Sequence, residues 1–262
     1  MWIAGIVVAV VGALLMLGAR RAENRLLALR TASKQTAQSL REALTQMTQD
    51  LGPGSFAETC ELSGTAQCAQ PLRAEISGAA CVYYSMRVER QYEETVRENN
   101  QERTQRGSET VAHNVQHTDF LLRDATGAVA VLAEGAELDG LRTLERFEPA
   151  AGGSGHGLSL TVGSFSITLP AVQAGRRTLG HKIVEQHVPV GAHLYVMAEA
   201  ADRDGELVLR QPKEGPFLVS MRSKEQLVAG ARSQARWMRA LGMTAIVGGA
   251  ALTAWGLAMR MR

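Results

Sequence analysis

Two stretches without a charged side chain stand at opposite ends of this 262-residue sequence, and nothing else in it constrains folding so strongly. Residues 1–19 (MWIAGIVVAVVGALLMLGA) form the first. Nineteen helical residues at about 1.5 Å each reach roughly 28 Å, close to the hydrocarbon thickness of a bilayer. A cleaved signal peptide needs positive charge ahead of its apolar run, whereas here Arg20 and Arg21 follow it, and Leu17 and Ala19 make a poor cleavage site. Residues 240–259 (ALGMTAIVGGAALTAWGLAM) form the second run, bracketed by Arg236 and Arg239 before it and Arg260 and Arg262 after it. Both are expected to be transmembrane helices.

Two spans would place residues 20–239 on one side of the bilayer and both tails on the other. Near the membrane the loop side carries Arg20, Arg21, Arg25, Arg30, Lys34, Arg222, Lys224, Arg232, Arg236 and Arg239, against Arg260 and Arg262 on the tails. The positive-inside rule then predicts a cytoplasmic domain with the termini opposite. Small residues recur every four positions as Gly5, Ala9, Ala13 and as Ala245, Gly249, Thr253. Such stripes let helices approach closely, either within one chain or between copies in a homo-oligomer.

Between the runs the pattern changes. Residues 21–50 lack proline and glycine, and Leu40, Leu44, Met47 and Leu51 recur on one helical face, so a juxtamembrane helix is expected over 20–51, ending at Gly52-Pro53-Gly54. Residues 52–222 read as short β-branched or aromatic runs punctuated by glycine. Strands are expected at 57–63, 80–94, 118–123, 129–133, 158–169, 181–187, 193–199, 207–210 and 217–221, with turns at Asp124-Ala125-Thr126-Gly127 and Asp202-Arg203-Asp204-Gly205. No helical crossovers separate them, which predicts a barrel or sandwich over a parallel α/β fold. Residues 99–107, polar throughout, and 150–157, rich in glycine, read as loops. A helix over 223–239 leads into the second span. The fold class expected is therefore a membrane protein of α+β type, with two transmembrane helices flanking a β-rich domain.

Certain residues carry a resemblance. Leu62-Ser63-Gly64-Thr65, Pro71-Leu72, Ser77-Gly78, Cys81-Val82-Tyr83-Tyr84 and Arg87-Val88-Glu89-Arg90 resemble the start of the GIDE domain, also called Beside-A-Membrane. Phe120 to Asp124, Glu185, Gly191, Ala198-Glu199-Ala200, Asp204-Gly205, Pro212 and Gly215 to Ser220 are similar to its second half. The best-known eukaryotic member is a mitochondrial outer-membrane E3 ubiquitin ligase whose zinc-binding RING follows the second span. No Cys/His set of RING spacing follows residue 259 here, so the resemblance implies a prokaryotic-type member without ligase activity. That branch implies a role in membrane stress or defence signalling.

Chemistry is sparse. With 28 Lys+Arg against 26 Asp+Glu, the net charge of +2 excludes a strongly basic nucleic-acid binder. His113 and His117 suit a metal only on a helix and with further ligands. His181, His187 and His193 recur every six residues in separate strands without forming a triad. Cys60, Cys68 and Cys81 are too few for a disulfide framework, and Cys81 ahead of an apolar strand reads as a small buried hydrophobe. The dense mixed charges of residues 87–106 read as a solvated hairpin. No catalytic, cofactor-binding or metal site is expected. The expected partners are the bilayer and a protein or small-molecule ligand of the β domain; a membrane-perturbing assembly is the alternative, and a ubiquitin-pathway accessory a third.

Overall fold

A computed structural model describes residues 2–98, 101–150, 158–162, 165–169 and 176–258. In chain order the elements are α1 (Trp2–Thr31), β1 (Ser33–Lys34), α2 (Ala37–Leu51), β2 (Ala57–Gln67), β3 (Leu72–Arg73), β4 (Ala80–Glu98), β5 (Gln101–His117), β6 (Phe120–Arg123), β7 (Ala128–Val131), β8 (Glu137–Asp139), β9 (Arg142–Pro149), β10 (Leu158–Val162), β11 (Phe165–Leu169), β12 (Arg176–Pro189), β13 (His193–Arg203), β14 (Glu206–Arg210), β15 (Leu218–Ser220) and α3 (Lys224–Ala258).

The first sheet closes on itself. β2 pairs with β13 from Ala57↔Ala201 to Thr65↔His193, and its last residues also pair with β6. β6 pairs with β7, β7 runs parallel to β14, and β14 returns to β13, completing a ring of five strands. Closure removes the exposed edges that an open sheet would present. Alternation along each strand points Leu62, Leu122, Val131, Leu194, Val196 and Leu209 into the interior, each 2% exposed or less. α2 caps this core with Ala37, Leu40 and Leu44, while Met47 and Leu51, further along the expected stripe, stay exposed. β1 extends the ring beside β2, and β15 and β8 extend it beside β13.

The second sheet runs β9-β12-β4, with β3 and β5 along the other edge of β4. Its base joins the barrel, because Val82 and Val188 lie in the barrel's core. Further out Met86, Val88 and Ile183 pack with Ile76, Val111 and Ala112 in a small core of their own. Beyond that the β4–β5 ribbon continues on charged and polar residues. The strand expected over 80–94 is an interior one: β4 lies between β12 and β5, with Val82, Tyr84, Met86 and Val88 buried and Tyr83 and Ser85 half-buried.

Three expectations need correction. The helix expected over 20–51 is two helices, because Ser33 and Lys34 leave it to pair with Cys60 and Glu61. α2 restarts with a capping box between Thr36 and Ser39, and the carboxylate of Asp124 accepts the Ala37 N–H at 2.8 Å. The loop expected over 99–107 is strand β5 from Gln101 onward, with Asn99 and Asn100 outside the described residues. Over Gln101 to Arg106 the polar sequence hides a strand whose two faces are both wet. The expected strand over 158–169 is the hairpin β10–β11. β3, β8 and β9 are strands that the residue pattern does not signal, and the glycine-rich loop expected over 150–157 lies, except for Ala150, outside the described residues.

α1 and α3 pack as an antiparallel hairpin. Ala19, Ala22 and Leu29 face Leu227, Ala231 and Ala235 along its buried seam. A Cβ on Gly12 would stand 2.9 Å from the Gly242 carbonyl oxygen, and one on Gly249 2.7 Å from the Ala9 nitrogen, so these positions admit only glycine. The small residues read from the sequence are thus used inside this chain. By length and composition, one helix among the described residues, over Ile3–Thr31, is long and apolar enough to cross a membrane. The second apolar run forms the C-terminal part of α3 as far as Ala258, its last residue, Met259, lying outside those described; a second span is not shown.

Candidate functional site

A cleft of about 350 Å³ opens where the two sheets diverge. Val82, Phe120, Val188 and Val219 line its floor, and Tyr83, His117 and Gln186 supply its polar groups. A mostly apolar concavity with a few convergent polar groups is the usual form of a small-ligand site. His117 therefore belongs to the cleft, on β5 opposite Tyr83. His113 lies four residues back on the same strand, about 13 Å away, and is exposed. That spacing separates the pair too far to hold one ion. Among the described residues no three His, Cys, Asp or Glu side chains converge as metal ligands.

Strand alternation ties this cleft to the helices. On β15, Val219 faces the cleft while its neighbour Leu218 faces the opposite side, against Leu29 of α1, Leu227 of α3 and Tyr195 and Met197 of β13. One layer of strand therefore separates the cleft from the root of both helices, and shortly after Leu218 the chain reaches Lys224, the first residue of α3. There the Glu61 carboxylate, 4% exposed, accepts the Tyr195 hydroxyl at 2.7 Å and the Lys224 ammonium at 2.6 Å. Burial and the bond to Glu61 push the Tyr195 hydroxyl far up its titration range, so it stays a donor. No sequence signal marks this cluster, because Glu61 and Tyr195 are 134 residues apart and each reads as an ordinary strand residue.

The other sequence candidates fall elsewhere. Cys81 is fully buried, and burial together with Glu185 pushes its thiol up to about 11; burial and Glu58 push Cys60 up to about 12. Neither presents a thiolate at neutral pH. His181 and His187 lie buried on β12, both held below the ordinary histidine value chiefly by burial, and His193 is exposed on β13. Glu185, fully buried between them, holds the fold together. It accepts the Ile76 N–H at 2.6 Å and the Ser77 N–H at 3.3 Å, fastening the 74–79 loop to the sheet.

A family match described as "GIDE: E3 Ubiquitin ligase" covers residues 89–254, from the middle of β4 through most of α3. The chain belongs to the GIDE family. Of the first half of the sequence resemblance, residues 62–88 lie ahead of the matched segment and Glu89 and Arg90 fall within it. The chain is also 35% identical over 94 residues to the E3 ubiquitin-protein ligase SP1 of Arabidopsis thaliana, a match covering 32% of this chain and 26% of that protein. The matched part thus spans about a quarter of the plant protein's length. No solved structure matches. The family is associated with E3 ubiquitin ligases, and residues 1–262 contain no RING-spaced Cys/His set.

Proposed function

We propose that this GIDE-family protein is a membrane-anchored, non-catalytic binding module that reads ligand occupancy of the inter-sheet cleft through β15 and the root of α3. The observation carrying this reading is the back-to-back placement of Val219 and Leu218. A ligand pressing on Val219 displaces the strand that Leu218 packs against the helices. Anchoring by both helices is supported by Trp237 and Trp255, which are 67% and 62% exposed on α3. Eighteen residues apart, they are separated by about 27 Å along the helix, the spacing of two interfacial aromatic belts. The charge bias around the two apolar runs supports a β domain on the cytoplasmic face. Use of Gly12 and Gly249 within the hairpin favours this module over an assembling, membrane-perturbing effector.

The test screens apolar and amphipathic small molecules by thermal shift of the full chain in detergent, followed by hydrogen exchange. Bound molecules should lose their shift in Ala136→Phe, which fills the cleft, and should change amide protection over residues 218–231. Binding that leaves those amides untouched overturns the coupling. A second reading, an accessory in ubiquitin transfer, is supported by the family description and the plant relative's name. Ubiquitin-chain formation by the full chain with activating and conjugating enzymes would favour it over the non-catalytic reading.

A further inference from the structure

A second groove, of about 630 Å³, lies where the helical hairpin meets the β domain. Arg21, Asn24 and Arg25 of α1 and Gln234 of α3 form its polar wall, with Gly18 and Met238 at its apolar end and Pro216 completing the lining. The one acid there, Glu137, stands 3.6 Å from Arg25 and is balanced by it. Arg21 has no carboxylate within 4 Å among the described residues, which leaves the groove net positive.

Its level and shape say what fits. On the same helical faces, one turn toward the apolar halves, Leu14 and Leu241 are exposed, and Trp237 stands beside Met238 at the height where interfacial aromatics sit. The groove is thus cationic toward the β domain and apolar toward the membrane half. A guanidinium fork matches two phosphate oxygens, and Asn24 and Gln234 add neutral donors for headgroup hydroxyls. Among the described residues no aromatic ring lines the groove, which gives a choline ammonium no cage there.

We propose that this groove binds the phosphodiester headgroup of an anionic phospholipid, with Arg21 and Arg25 on the phosphate and the acyl chains along Leu14 and Leu241. The assignment rests on the reading that the hairpin lies in a bilayer. Headgroup occupancy beside Arg25–Glu137 would also fix the angle between hairpin and β domain.

The experiment reconstitutes the full chain into nanodiscs of mixed phosphatidylglycerol and phosphatidylcholine and counts retained lipids by native mass spectrometry. Wild type should retain phosphatidylglycerol preferentially. Arg21→Gln should weaken that preference about fivefold and Arg21→Gln/Arg25→Gln about thirtyfold, as expected for one and two lost cation contacts. Arg232→Gln/Arg236→Gln, outside the groove, should leave it nearly unchanged. Equal retention of both lipids, or equal losses in the two double variants, overturns the site. Saturable binding of soluble glycerophosphoglycerol to the detergent-solubilised chain, lost in Arg21→Gln, would overturn the lipid assignment in favour of a free phosphate compound. Alkaline carbonate extraction separates the two readings: a chain released from membranes defeats the anchor, whereas a retained chain without lipid preference defeats only the groove.

Discussion

The barrel and the arm built on it are both antiparallel sheet for most of their length, yet they are held together differently. The barrel closes around side chains such as Leu122, Leu194 and Leu209 that water does not reach. The arm begins with the same device at Val82 and Val188, passes through the small core of Met86, Val88 and Ile183, and ends in charge. There Arg90 meets Glu109 at 2.6 Å, Arg106 meets Glu93 at 3.0 Å, and the Arg176 guanidinium stacks over the Tyr92 ring at 4.6 Å. Tyr92 also lies across Gly107 on the facing strand, covering backbone that has no side chain of its own. A strand of 19 residues reaches about 60 Å, so β4 leaves the region where apolar burial is available. What continues it is the backbone ladder to β5. Stability should therefore decline along β4 from base to tip.

The largest effect is expected at the base. Val82→Asp places an unpaired charge in the shared core and should cost several kcal/mol, about 4 or more; cooperative urea unfolding of the full chain in detergent, with a midpoint near wild type, would break the comparison. In the middle of the arm Glu185→Ala strips the Ile76 and Ser77 amides of their acceptor. A loss of about 2–3 kcal/mol is expected, read as faster hydrogen exchange confined to the 74–79 loop. The same region should respond to acid. His181 and His187 are held below the ordinary 6.5 when folded. The unfolded chain therefore takes up their protons first, and stability, fully present above pH 6.5, should fall as the pH drops through 6.5 and below. A denaturation midpoint that is flat between about pH 7.5 and 5.5, or an unchanged slope in His181→Gln/His187→Gln, would refute that assignment. The smallest effect belongs to the tip: Arg106→Gln breaks an exposed pair and should shift stability by no more than about 0.5 kcal/mol. An effect as large as that of Glu185→Ala would mean the tip is not the weakly held end.

The same gradient explains how much is legible in the sequence. The barrel strands at 193–199 and 207–210 stand out because one face is buried and the other is not, or because both are buried, and apolar residues mark either case. β5 carries no such mark. Both faces of Gln101 to Arg106 meet water, so this segment has the composition of a loop, and only the ladder to β4 makes it a strand. β9 is hidden likewise: Arg142 to Phe147 are exposed and alternate no apolar face. The cleft is unreadable because its walls come from both sheets; His117 stands out in the sequence, but for a metal chemistry that strand spacing forbids. The Glu61–Tyr195–Lys224 cluster and the groove at Arg21 likewise join residues far apart in the chain.

By itself the sequence determined whatever depends on near neighbours: charge-free runs of bilayer length, breakers at Gly52-Pro53-Gly54, hairpin turns at Asp124 and Asp202, and the family motifs. These follow from side-chain transfer energies and backbone preferences that act within a few residues. Tertiary structure alone decided where α1 yields to β1, which strands close the ring, that Gly12 and Gly249 face each other's helices, and that Val219 and Leu218 stand back to back between cleft and helix root. Those outcomes rest on contacts between residues widely separated along the chain, whose energies no local pattern encodes.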